Sequence, residues 1–85
     1  MIAWSYYPSI DMHGEYASTA YTIVDQFIKD NVKLKNKYVL IVHGKGTGVL
    51  KKEVHNILKQ HPLVVRYELD SENIGQTIVE LKPRK

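Results

Sequence analysis

Cysteine is absent from this sequence, which removes disulfides and thiolate metal sites from the means of holding the chain together. That fits a reducing compartment, and the chain is read as cytoplasmic. No apolar run approaches the ~20 residues of a membrane span. Residues 1–5 have neither the basic start nor the apolar stretch of a secretion signal, so no membrane partner is expected. Repeats, low-complexity segments and linkers are also missing. Excess charge is scarce: Lys82, Arg84 and Lys85 account for the whole formal net charge of +3, so global charge decides little about partners. A length of 85 residues allows one domain, which at this size buries only roughly 60–65% of its unfolded surface. With 44% apolar residues it can still build a core.

The apolar pattern gives the order of elements. Residues 1–8 hold Trp4, Tyr6, Tyr7 and Pro8 and read as an extended arm. Residues 9–13 form a short strand stopped by Gly14, with Ile10 and Met12 on one face and Asp11 and His13 on the other. From about Tyr16 to Asn31, Ala17, Ala20, Val24, Phe27 and Ile28 make a helical stripe, with Asp25, Gln26 and Lys29 opposite. Residues 38–42 are a continuous apolar run, suited to a central strand covered on both faces. A second helix carries Leu50, Val54, Ile57 and Leu58 on one face and ends before Pro62. His55 and His61 are placed on its surface. Strands at 63–69 and 76–82 complete a βαβαββ order, with Thr77, Val79 and Leu81 alternating in the last. The domain thus spans 9–82, followed by a basic tail at 83–85. It is expected to be an α/β (α+β) two-layer sandwich with a four-stranded mixed sheet and two helices on one face. The crossovers predict the first three strands as parallel neighbours or nearly so, with the fourth returning antiparallel.

If the first two strands are parallel, their carboxyl ends share one edge of the sheet, where open α/β sheets place their ligands. His13 closes the first strand and His43 the second, so Asp11, both histidines and the following glycine loop should meet on one rim. That loop is Gly44-Lys45-Gly46-Thr47-Gly48. Glycines let a ligand approach the main chain, and the free N–H groups of a helix start attract anions. Lys45 adds a charge, Thr47 a hydroxyl, and Lys51 and Lys52 follow with no carboxylate between His43 and Lys52. A Walker A loop is excluded because Gly46, not Ser or Thr, follows Lys45. A Rossmann fingerprint is excluded because position 49 is Val. A phosphodiester backbone or a small anion remains, against the plainer alternative of a helix-initiating turn.

Asp11 and His13, two residues apart, should project side by side. A carboxylate beside an imidazole orients the ring and favours its protonated form, which suits general acid–base work. His13 could deprotonate a nucleophile or protonate a leaving oxygen while backbone N–H groups stabilise the charged phosphorane. The plainer alternative has Asp11 capping the backbone and both histidines bracing main chain. Two histidines and an aspartate would also be a plausible ligand number for a divalent cation such as magnesium or manganese. No helical HxxxH or HExxH spacing supports that reading. Lys33, Lys35 and Lys37 lie at the opposite end of the second strand and read as a solvated turn.

Ile10-Asp11-Met12-His13-Gly14 resembles the LDxHG motif of Smr (small MutS-related) domains, and His43-Gly44-Lys45-Gly46-Thr47-Gly48 resembles their HGxGxG motif. Residues 75–81 and the spacing between the motifs fit the same family, over roughly residues 9–82. The resemblance implies a fold like the C-terminal domain of translation initiation factor three. It also implies nucleic-acid binding with weak, sequence-tolerant endonuclease (nicking) activity on DNA or RNA. Asp11, His13 and His43 form the candidate catalytic set. Gly44, Lys45, Gly46, Thr47, Gly48, Lys51 and Lys52 form the candidate nucleic-acid contacts. Where members often have a hydrophobic residue and a Glu-Glu-Ala helix start, this chain has Glu15-Tyr16-Ala17-Ser18, with a negative charge beside the site. The chain is read as a stand-alone, monomeric member. The alternatives are a non-catalytic module for branched or structured nucleic acid, or an adaptor for a repair or ribosomal protein.

Overall fold

Helix boundaries here follow from local chemistry at each end. The computed structural model describes residues 7–83. Trp4 and Tyr6 of the arm, and Arg84 and Lys85 of the tail, lie outside the described residues. The elements are β1 (Ser9–Asp11), α1 (Ala17–Lys33), β2 (Tyr38–Val42), α2 (Val49–Gln60), β3 (Val64–Leu69) and β4 (Gln76–Leu81). Helix α1 runs past the expected Asn31 and stops in a Schellman turn. The Lys35 N–H donates to the Val32 carbonyl and the Asn36 N–H to that of Asn31, with Lys35 at φ 63°. The buried Asn31 reinforces the turn, donating from Nδ2 to the Phe27 carbonyl and accepting from Asn36 Nδ2. Helix α2 ends at His61, which is extended because Pro62 follows it.

The sheet order is β1-β2-β4-β3, with β1 parallel to β2 and β4 antiparallel to both its neighbours. Of the two arrangements expected for the first three strands, parallel neighbours or nearly so, the second holds. Strand β3 does run in the direction of β2, but β4 is inserted between them. Its Ile78 faces Leu40 on one side and Glu68 on the other. Both helices cover one face. Ala20, Val24 and Ile28 of α1 and Val54, Ile57 and Leu58 of α2 pack with Val39, Ile41, Val79 and Leu81 of the central strands. The other face carries Tyr38, Leu40 and Ile78, with the Tyr7 ring edge-on to Tyr38 at 5.5 Å. The result is the expected two-layer α+β sandwich. No helix among the described residues is long and apolar enough to cross a membrane.

Two residues expected on the surface are not there. His61 is buried, and its Nε2–H donates to Asp25 Oδ1 of α1 at 2.8 Å while Nδ1 accepts the Leu63 N–H. His55 is half-buried against Tyr67, with ring centroids 5.1 Å apart. The helical stripe carried the signal for His61, which follows Ile57 by four positions and Leu58 by three.

Candidate functional site

The parallel pairing of β1 with β2 puts Asp11 beside Val42, and the Met12 N–H donates to the Val42 carbonyl at 2.6 Å. The chains leaving these strands therefore emerge together. Met12 is fully buried and anchors the first. His13 follows in a turn, exposed, with its ring against Gly44. A Cβ placed on Gly44 would lie 3.1 Å from His13 Cδ2, and Gly44 sits at φ 86°. Only glycine meets both conditions without strain.

His13, Gly14, Glu15, Tyr16 and Ala17 line one side of a cleft of about 330 Å³, and His43, Gly44 and residues 46–51 line the other. The first turns of both helices border this cleft. Neither has an acidic residue in its first turn or a side-chain bond at its N-cap, where Tyr16 and Gly48 stand. Thr47 Oγ1 accepts the Val49 N–H only at 3.4 Å. Serine, threonine, aspartate or asparagine would satisfy such positions better. Two helix ends thus present free N–H groups and positive dipole ends around one space.

The expected site residues divide between the cleft and its surroundings. His13, His43, Gly44, Gly46, Thr47, Gly48 and Lys51 line the cleft. The Lys45 stem instead runs along Gly75, where a Cβ would meet Lys45 Cγ at 3.3 Å. Lys52 is exposed outside the lining. Asp11 and the His13 ring do not pair: Asp11 Oδ1 accepts the backbone N–H of His13 at 2.8 Å. The carboxylate fixes the turn that carries the ring. No group of three metal-binding side chains converges among the described residues. Both nitrogens of His43 are engaged by protein atoms, so the set Asp11, His13 and His43 does not fit a divalent cation.

His43 is buried behind the glycine loop, with Nδ1 3.0 Å from the Gly44 carbonyl and Nε2 2.9 Å from Thr77 Oγ1. Sequence reasoning missed the next member, His55, whose Nε2 lies 2.7 Å from the same hydroxyl. The two rings stand 5.9 Å apart. The loop's backbone is held from β4's side, where the Gly75 carbonyl accepts the N–H groups of both His43 and Gly44.

Burial lowers the pKa of His43 below the ordinary histidine value, against the pull of the Gly44 carbonyl and with the help of Lys51. Burial lowers His55 as well, aided by His43 and Lys51. Below about pH 6.5 the unfolded chain takes up protons that these rings refuse. Their contribution is therefore complete above that pH and is lost as the pH falls through the lowered folded values. Urea midpoints should hold constant from pH 8 to 7 and fall between pH 6.5 and 5. A flat profile across that range would show that neither ring is held neutral. Asp70, lowered chiefly by the Gln76 amide, adds its loss only below about pH 4.

Residues 10–82 match the Smr domain family model. The chain belongs to the Smr domain family. Among curated relatives, it is 38% identical over 78 residues to the Endonuclease MutS2 of Halothermothrix orenii, covering 88% of this chain. It is 42% identical over 77 residues to that of Clostridium botulinum. In both cases it spans 10% of the relative's length. The crystal structure of the Smr domain of Thermus thermophilus MutS2 superposes with a TM-score of 0.86 at 26% identity, covering 89% of this chain and 99% of that one. YdaL, a stand-alone small MutS-related protein from Escherichia coli, shares the fold with a TM-score of 0.81. Its identity is 22%, and the match covers 87% of this chain and 63% of that one.

Proposed function

We propose that this Smr domain binds DNA or RNA in the cytoplasm through its glycine-loop cleft and cleaves the phosphodiester backbone there, weakly and with little regard to sequence. The observation that carries the reading is the seating of the exposed His13 ring on Gly44, at the mouth of a loop that opens on two uncapped helix starts. A phosphate held by the loop's N–H groups and Lys51 would lie beside a group able to move a proton. In the reaction one P–O bond forms to the entering oxygen, one breaks, and the leaving oxygen gains a proton. His13 takes the proton from the first oxygen or gives it to the second, and the backbone N–H groups stabilise the added charge. Asp11 positions His13 through its backbone. The names of the MutS2 relatives agree with this chemistry.

The test is cleavage of supercoiled plasmid and of a folded RNA by the pure protein, with magnesium, manganese or EDTA and a His13→Ala control from the same purification. Nicking that disappears in the control supports the reading. Binding without cleavage under every condition replaces it with a non-catalytic module for structured or branched nucleic acid. Asp11 favours that second reading, since its carboxylate serves the backbone and not the ring.

Lys51 lines the cleft and Lys45 and Lys52 are exposed beside it, so with all three in reach of phosphates affinity should fall with salt at a log–log slope near −2 to −3. Lys51→Ala should make that slope shallower by about one unit and weaken all sequences alike. An unchanged slope would take Lys51 out of the contact.

A further inference from the structure

Three hydrogen bonds behind the cleft have a direction that the donor inventory fixes. A backbone carbonyl only accepts, so the 3.0 Å contact between His43 Nδ1 and the Gly44 oxygen requires the proton on Nδ1. A neutral His43 then has a bare Nε2, which accepts the Thr77 hydroxyl proton across 2.9 Å. That hydroxyl has one proton to give. Its 2.7 Å contact with His55 therefore runs the other way, from His55 Nε2–H to Thr77 Oγ1. With two neutral rings, one arrangement satisfies all three bonds: His55 donates to Thr77, Thr77 to His43, and His43 to the Gly44 carbonyl.

We propose that His55 and Thr77 are positioning residues for the cleft: acting through the Thr77 hydroxyl, His55 locks His43 in the Nδ1–H tautomer, which ties back the Gly44 carbonyl and orients the first peptide of the glycine loop. Neither His55 nor Thr77 lines the cleft, so their influence passes through His43. The peptide joining Gly44 to Lys45 is planar and trans, so its N–H points opposite to its carbonyl. Holding the carbonyl on the His43 ring turns the Lys45 N–H away from that ring. Without the relay, a free neutral imidazole favours the proton on Nε2. In that form His43 would set a bare Nδ1 against the Gly44 oxygen, lone pair facing lone pair, and the peptide would lose its tether. The start of β4 and the turn before it hold the whole arrangement, since Gly75 in that turn anchors the loop's backbone and Thr77, two residues on in β4, anchors the ring.

Long-range 1H–15N spectra of the imidazole nitrogens in the full chain at pH 8 read the tautomers directly. The expected result is His43 protonated at Nδ1 and His55 at Nε2. Thr77→Val should convert His43 to a mixture and weaken binding of a labelled single-stranded 20-mer about tenfold, on the scale of other outer-shell positioning groups. Thr77→Ser, which keeps the hydroxyl, should restore both. If Thr77→Val does not fold, His55→Phe serves, and the expected result is again a mixed His43. A wild-type His43 protonated at Nε2, or a His43 tautomer indifferent to these substitutions, overturns the relay. Unchanged 20-mer affinity in Thr77→Val overturns the positioning role. That last arm alone rests on the nucleic-acid reading: a wild-type chain that binds no oligonucleotide removes that reading, while the tautomers still decide the relay.

Discussion

His13→Ala should lower phosphodiester cleavage by about two to four orders of magnitude, the usual worth of a positioned general acid or base, and leave oligonucleotide affinity within about twofold. The separation follows from how the residue is held. The His13 ring is exposed at the cleft and makes its close approach to Gly44, so truncation leaves no buried polar group unpaired. The turn itself survives, because Asp11 holds the backbone N–H of residue 13, which alanine keeps. The loop and its helix start do not depend on the ring. Binding and chemistry should therefore part cleanly, as a loss in turnover with little change in affinity. Asp11→Asn keeps an acceptor for that N–H and should retain most activity, whereas Asp11→Ala frees the turn and should lose much of it. Plasmid nicking and single-turnover RNA cleavage measure all three. Cleavage that survives His13→Ala would take the reaction out of this cleft, and equal losses in binding and cleavage would make His13 a contact residue instead.

The rim of the site was legible because few topologies were open to it. A three-residue β1 and the apolar β2, joined by a helix, must run parallel, and that alone brings residues 13 and 43 to one edge. The position of β4 was not legible. Alternation of Thr77, Val79 and Leu81 fixes which face each side chain takes, not which strands stand on either side. The i, i+2 spacing likewise put Asp11 and His13 on one side of the chain without saying what the carboxylate would meet. The backbone N–H in the tight turn was nearer than the ring. Thr77 is the most instructive case. Its place in the apolar alternation implied a buried hydroxyl, and a buried hydroxyl needs partners. Those partners, His43 and His55, lie 34 and 22 residues away in sequence, and only the sheet order and the packing of α2 on the sheet bring them together.

That dependence of the site on the sheet leads to the largest stability effect expected here. Ile41→Ala should lower stability by about 2–5 kcal/mol. For a domain of this size, at about 4–8 °C per kcal/mol, thermal unfolding should move down by about 8–40 °C. Ile41 is fully buried in β2, an inner strand of the sheet, paired with Ile10 of β1 and Thr77 of β4, on the face where both helices pack. No neighbour can move in cheaply, since strands flank it on both sides and a helix layer lies above it. A small domain has a net stability of only about 5–15 kcal/mol, so the variant should remain folded at 25 °C in most of that range. Its cleft is built from segments beyond the end of β2. Oligonucleotide affinity at 25 °C should therefore stay within about twofold while the melting point falls. Leu34→Ala, at a position 71% exposed beyond the end of α1, is the control and should change stability by no more than about 0.5 kcal/mol. Circular dichroism melts and fluorescence binding on the same samples compare the two effects. A shift below about 5 °C for Ile41→Ala would mean that the centre of the sheet does not carry the core. A loss of affinity in step with the melting point would mean instead that the cleft loosens before the domain unfolds.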